Sequence, residues 1–178
     1  MNKTITLAKI NTTYLIKFLI VLSVATGAPL LGFHSQWITG PIVNMALILS
    51  VFMVGIRGAL LIGILPSTIA LSTGLLPAVL APMIPFIILS NIILVLVVDY
   101  IRRLEIKNNY WSALVLGAGL KYLFLLLTSS IVIKLLLNVK VAPAVLNIMS
   151  WSQFFTAVIG GVLAFGVLKI IKLSKYST

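Results

Sequence analysis

The sequence predicts an all-α integral membrane protein, a single domain over residues 1–178 built as a bundle of six transmembrane helices. Hydrophobic residues make up 61% of the chain and charged residues only 8%, with a mean hydropathy of +1.24. A soluble domain carries roughly a quarter charged residues, so this composition offers too little polar surface to face water. Six apolar stretches approach the length of about 20 residues that crosses a bilayer, and nearly every Lys and Arg falls on alternate connections between them.

Local signals set the helix boundaries. Asn11 to Thr13 supply N-capping side chains before the first apolar stretch, which lacks a small-residue cleavage site and is therefore interpreted as a retained helix, not a signal peptide. Pro41 suits the first turn of the second helix, and the glycine and three prolines between residues 73 and 85 disfavour regular helix there. The second and third stretches are short, so four or five spans are alternatives to the six that we expect. The predicted helices are residues about 14–32, 41–54, 59–72, 86–100, 111–137 and 151–171.

The distribution of positive charge predicts the orientation of the bundle. Ten of the 13 Lys and Arg lie on the N-terminal lead, the second and fourth connections and the C-terminal tail, whereas the other side has Lys134 and Lys140. Cytoplasmic loops carry an excess of Lys and Arg, so we expect both termini in the cytoplasm and the first, third and fifth connections outside. Because its cations lie at helix ends, the net charge of +11 indicates orientation and no nucleic-acid partner.

The composition also argues against catalysis by this chain. Two acidic residues, one His and no Cys leave out the pairs that acid–base, thiol or zinc chemistry uses. Both acids, Asp99 and Glu105, lie at the predicted cytoplasmic rim beside Arg102 and Arg103, where we expect solvated, lipid-facing charge. We therefore expect no enzyme activity, no metal and no cofactor.

Lys121 is the residue that a bilayer disfavours most. It lies ten residues into the fifth predicted helix, about 15 Å from the inner end at 1.5 Å per residue. An ammonium at mid-bilayer costs roughly 2.5–3.5 kcal/mol on insertion scales. Gly117 and Thr128 share its helical face, so this face is expected to point into the bundle. Lys121 then binds an anionic ligand group or pairs with polar residues of helices 4 and 6; the alternative is a lysine that snorkels to the inner interface.

Three amide side chains occur in the predicted outward half of the bundle, namely Asn44 in helix 2, Asn91 in helix 4 and Gln153 in helix 6. Each is a candidate substrate-binding residue, because an amide offers both a donor and an acceptor. The alternative is that these amides only join helices or interfacial loops by hydrogen bonds. Gln153 also starts a face of small and polar residues, which continues with Thr156, Ala157, Gly160 and Ala164.

Two tryptophans on the outer side are further candidates for the substrate site. Trp37 lies in the first outward loop beside His34, where an aromatic ring could cover a ring-shaped ligand. Trp151 begins the sixth helix. For both residues the alternative is the aromatic belt at the membrane interface, which is the favoured interpretation for Trp151.

Small residues on helix 1 are candidates for docking to a membrane partner. Ser23 and Gly27, and likewise Ala28 and Gly32, are spaced four residues apart. Small residues at this spacing let helix backbones approach closely, either within the bundle or with another membrane protein.

Several stretches resemble the substrate-binding (S) component of energy-coupling-factor (ECF) transporters, in the subgroup of unassigned substrate. The resemblance extends over nearly the whole chain and includes its size and its six short-looped spans. The local stretches that carry it are Gly40-Pro41-Ile42-Val43-Asn44, Ala81-Pro82-Met83-Ile84-Pro85-Phe86 leading to Ser90-Asn91, Leu120-Lys121-Tyr122-Leu123-Phe124-Leu125 and Met149-Ser150-Trp151-Ser152-Gln153.

The resemblance implies a six-helix bundle in a bacterial plasma membrane that binds one vitamin-like micronutrient from outside. It implies a lid from the loop between helices 1 and 2, carrying Trp37, and pocket walls that carry Asn91, Lys121 and Gln153. It further implies a membrane coupling subunit with two cytoplasmic ATPases as partners, since the chain has no phosphate-binding Gly-x-x-x-x-Gly-Lys-[Ser/Thr] motif. In that family helix 1 docks through an Ala-x-x-x-Ala-like pattern, which here is replaced by Ser23/Gly27 and Ala28/Gly32.

Two other classes of function are weighed against transport. A membrane scaffold or assembly subunit would bind no small molecule and would use Lys121 and the amides as structural groups. A membrane enzyme is disfavoured because the acids lie at one rim and a single outward His rarely suffices for catalysis.

Overall fold

The computed structural model describes residues 12–30, 35–136 and 149–171, and these form helices and short connections without a strand. Six of the helices are long and apolar enough to cross a membrane, as predicted for a multi-pass membrane protein. A short 3₁₀ helix, Ala78–Met83, leads directly into the fourth of them. The six are α1 (Thr12–Leu30), α2 (Gln36–Met53), α3 (Gly55–Ser72), α4 (Ile84–Arg102), α5 (Asn109–Leu136) and α6 (Trp151–Ile170).

The helices α2 and α3 are longer than predicted. Each has 18 residues, so their lengths favour full spans over the shorter alternatives. The helix α2 begins before Pro41 because the Ser35 carbonyl accepts hydrogen bonds from the amides of Ile38 and Thr39, at 3.1 and 3.0 Å. Gly55, with φ of +77°, lets the chain turn directly from α2 into α3. The predicted first outward loop is therefore largely the first turns of α2.

The helix α2 lies at the centre of the bundle and packs most closely against α6. A Cβ atom built on Gly160 of α6 would lie 2.7 Å from the Pro41 carbonyl oxygen and 2.8 Å from Asn44 Cβ. One built on Gly40 of α2 would lie 2.9 Å from Thr156 Cβ. The two backbones approach this closely only because glycine has no side chain.

The end of the bundle where α4 ends and α5 begins contains Asp99, the acidic residue that we expected to be solvated. Asp99 is instead buried and receives Arg102 at 2.6 Å and Arg103 at 2.8 Å in two ion pairs. Asn109 donates to the Arg102 carbonyl at 3.1 Å and so joins α5 to the end of α4. The expectation of lipid-facing charge is wrong for Asp99, because its own helix supplies two cations at i+3 and i+4.

Candidate binding site

A cavity of about 420 Å³ lies at the end of the bundle where α1 and α3 end and α2, α4 and α6 begin. Its volume falls within the range of about 300–1,000 Å³ found for small-molecule sites. All six helices contribute to its lining, as does the turn formed by residues 75–77. Five of the six residues predicted to bind substrate line it, namely Trp37, Asn44, Asn91, Lys121 and Gln153.

Lys121 forms the floor of the cavity, about 18 Å along α5 from Asn109 at 1.5 Å per residue. Only 2% of its surface is exposed. Its Nζ donates to Asn44 Oδ1 at 2.6 Å and to Asn91 Oδ1 at 2.8 Å. The side chain thus points into the bundle and does not snorkel. Its partner on α4 was predicted, whereas its second partner lies on α2 and not on the predicted sixth helix.

The orientation of the Asn91 amide is fixed by its other contacts. Its Nδ2 donates to the Gly63 carbonyl at 3.2 Å and to Ser67 Oγ at 3.3 Å, both on α3. A carbonyl oxygen can only accept, so the amide nitrogen must face α3 and the amide oxygen must face Lys121. Pro66 interrupts the backbone ladder of α3 at this level, because it has no N–H to donate.

The Asn44 amide is oriented in the same way. Its Nδ2 lies 3.4 Å from Thr156 Oγ1, and that hydroxyl donates to the Gln153 carbonyl at 3.2 Å, which leaves its lone pairs for Asn44. Both amide oxygens therefore face Lys121. Among the described residues no buried side-chain nitrogen or oxygen is left without a hydrogen-bond partner. The resulting chain of hydrogen bonds joins α2, α3, α4, α5 and α6 around one ammonium.

The two tryptophans occupy different places. Trp37 lies at the edge of the cavity and is 57% exposed, in the first turn of α2 and not in a loop as predicted. Trp151 does not line the cavity. It is 60% exposed and stacks on Tyr122 with ring centroids 5.1 Å apart, which agrees with the belt interpretation. His34 lies outside the described residues, as does most of the predicted fifth connection.

The predicted docking residues of α1 do not share one surface. Ser23 is exposed, and a Cβ on Gly27 would meet no atom within 4 Å. Ala28 is buried within the bundle. Gly32 lies outside the described residues. Of the predicted docking residues that the structure describes, Ser23 and Gly27 are thus the ones accessible on the surface of the bundle.

Sequence reasoning missed two contributors to the site, Ser67 and the carbonyl of Gly63. Both lie on α3, the helix that was taken as short and proline-interrupted. Pro66 was a partial signal, since it removes the helical donor for the carbonyl of Ile62, the residue before Gly63. As for metals, no group of three His, Asp or Glu side chains occurs within residues 12–30, 35–136 and 149–171.

Comparison with protein-family models, with curated proteins and with solved structures gave no match. The class of the protein is therefore defined by its own fold and cavity. It is a multi-pass helical membrane protein with a cavity at one end of the bundle, and Lys121 forms the floor of that cavity.

Proposed function

We propose that this chain is the substrate-binding subunit of an ECF-type micronutrient importer in a bacterial plasma membrane. The observation that supports it best is the cavity of about 420 Å³ with Lys121 as its floor. A membrane helix places a lysine at this depth only at an energetic cost, and an ionisable residue within a membrane span is by default a candidate functional site. The resemblance of the four local stretches to S components points in the same direction.

In this proposal both termini are cytoplasmic, as the positive-inside rule indicates. The cavity then opens to the outside, with Trp37 at its entrance and Gln153 in its wall. The ligand enters from the outer side and occupies the space above Lys121. Energy comes from a membrane coupling subunit and two cytoplasmic ATPases, with the Ser23/Gly27 surface of α1 as the contact to the coupling subunit.

The first experiment is native mass spectrometry of the gently purified protein, together with affinity purification from its own host. Retention of a small molecule and co-purification of a membrane protein with two ATPases are the expected results. A protein that holds neither a small molecule nor these partners contradicts the proposal. The substitution Gln153→Ala tests the cavity itself. We expect it to weaken ligand binding about 2–12-fold, which corresponds to the net free energy of one hydrogen bond.

The matched control for Gln153→Ala is Phe155→Ala. Phe155 lies two residues further along α6 and is 46% exposed on the outer face of the bundle. It should leave ligand binding unchanged. Equal binding by both variants and the wild type would remove Gln153 from the site.

A scaffold or assembly subunit is the second candidate. One observation favours it: the Lys121 network satisfies its buried groups internally, as a purely structural network must. This candidate predicts a stable complex with another membrane protein and no retained small molecule, so the same purification separates it from the importer.

A further inference from the structure

The cavity contains one basic side chain that no acidic side chain of the protein accompanies. Among the described residues that line it, Lys121 is the only Lys, Arg, Asp or Glu. The whole sequence has two acidic side chains, Asp99 and Glu105. Asp99 is held by Arg102 and Arg103, and it lies eight residues after Asn91 on α4, about 12 Å further along the helix axis. Glu105 is exposed in the connection beyond it.

The Lys121 nitrogen donates two hydrogen bonds, at 2.6 Å to Asn44 Oδ1 and at 2.8 Å to Asn91 Oδ1. Both acceptors are uncharged amide oxygens, which are fixed in place by α3 and α6. An ammonium has three N–H donors, so within the described residues one donor remains for a group in the cavity.

The remainder of the lining sets the other properties of the ligand. Apart from Ser152, Gln153 and the polar side chains near the floor and entrance, the walls are apolar. Residues on these walls include Val43, Pro66, Ala70, Leu76, Ile87 and Met149. The volume corresponds to on the order of a dozen water-sized groups at roughly 30 Å³ each. A ligand of this size needs one charged end and a mostly apolar or ring-shaped body.

We infer that the ligand is a small monocarboxylate, whose carboxylate pairs with Lys121 and whose apolar or ring-shaped body fills the space towards Trp37. This inference rests on the proposed importer function and narrows its substrate class. One ammonium neutralises one negative charge, whereas a phosphate dianion would leave an unpaired charge in an apolar bundle. Both amide N–H groups of Asn91 and one of Asn44 are already used by α3 and by Thr156, so the floor offers few of the several donors that phosphate groups collect.

The test uses the full-length protein in nanodiscs of neutral phosphatidylcholine, incubated with a lipid-free small-molecule extract of its host. Half of the extract is first treated with acidic methanol, which converts carboxylates to methyl esters and leaves phosphate esters anionic. Bound molecules are then identified by mass spectrometry. We expect a small carboxylate to be captured from the untreated extract, and its methyl ester to be captured at least about 30-fold less well, as expected when one partner of a desolvated charge pair is lost.

Matched variants link the result to Lys121. Lys121→Met keeps an unbranched side chain, one atom shorter, without the amino group, and Lys134→Met makes the same change at an exposed position of the same helix. Capture should fall at least about 30-fold in the first and stay unchanged in the second. If Lys121→Met does not fold, the methyl ester comparison on the wild-type protein decides alone.

The outcomes separate this inference from the proposed function. Capture of a neutral, cationic or phosphorylated molecule overturns the inference and leaves the importer standing. Equal capture of the acid and its methyl ester does the same. Capture of no small molecule, or retention of anionic phospholipid alone from the purification, overturns both.

Discussion

The contact between α2 and α6 is the part of the fold on which the cavity most directly depends, and Gly160→Ala tests it. A Cβ at Gly160 would lie 2.7 Å from the Pro41 carbonyl oxygen, 2.8 Å from Asn44 Cβ and 2.8 Å from the Met45 amide nitrogen. All three are backbone atoms or a Cβ, so no flexible side chain can move away. The two helices must therefore separate locally by several tenths of an ångström.

The magnitude follows from overpacking. An extra methyl group in a tightly packed contact typically costs about 1–3 kcal/mol. For a chain of 150–250 residues, 1 kcal/mol shifts the melting temperature by about 2–4 °C, so we expect a decrease of about 2–12 °C. The separation also moves Asn44 away from Thr156, where the contact is already 3.4 Å. Ligand binding should weaken with stability, because Asn44 positions the Lys121 ammonium.

The assay is thermal unfolding of the detergent-purified protein, followed by tryptophan fluorescence, with Gly166→Ala as the control. Gly166 lies on the same helix, and a Cβ there would meet no atom within 4 Å. Its replacement should leave the melting temperature unchanged or raise it, because alanine favours helix over glycine by about 1 kcal/mol. Equal melting temperatures for the Gly160 and Gly166 variants would refute the close α2–α6 approach.

Two further predictions concern surfaces outside the cavity floor. Gly27→Leu should leave the melting temperature of the isolated protein within a few degrees, because its Cβ position is open. Under the proposed function it should abolish co-purification of a coupling subunit, and intact complexes would contradict docking through α1. Trp37→Ala should weaken ligand binding, because Trp37 lines the cavity. Trp151→Ala should leave ligand binding unchanged in the same titration, because Trp151 packs on Tyr122 outside the cavity. A stronger effect of Trp151→Ala would contradict this assignment.

The sequence predicted the helices of this fold well, because length and apolar composition decide whether a segment can span a bilayer. The errors lie at helix starts. Pro41 was taken as a first-turn residue, whereas α2 begins at Gln36 with the Ser35 carbonyl as the first acceptor. The local sequence around a proline is similar whether the proline lies within a helix or in its first turn, so the sequence alone distinguishes these two positions poorly.

Sequence reasoning selected the residues of the cavity floor because polar side chains are rare within membrane-spanning helices. Lys121, Asn44 and Asn91 stand out in apolar helices, and the structure brings them together. Trp151 was a weaker candidate for a reason visible in the sequence: it precedes Gln153 by two residues, which places it about 200° away around a helix of 3.6 residues per turn. The sequence alone does not show which helices meet at Lys121, because contacts between helices depend on the packing of segments that are distant in the sequence.

A combined substitution distinguishes a binding role for the Lys121 network from a structural one. Lys121→Met alone removes the donor for both amide oxygens, and each unsatisfied buried group costs about 1–3 kcal/mol. Replacing Asn44 and Asn91 by Leu in the same protein removes these orphaned acceptors. Exchanging a whole buried polar cluster for apolar residues of similar size is often neutral or stabilising.

We therefore expect the triple variant, Lys121→Met with Asn44→Leu and Asn91→Leu, to melt at or above the temperature of the wild type, while the single variant melts below it. The triple variant should also bind no ligand. If the fold needs the network, the triple variant should instead melt below the wild type. Melting curves of the three proteins in the same detergent distinguish the two roles, because an ionisable group within a membrane helix that the fold does not need points to a functional site.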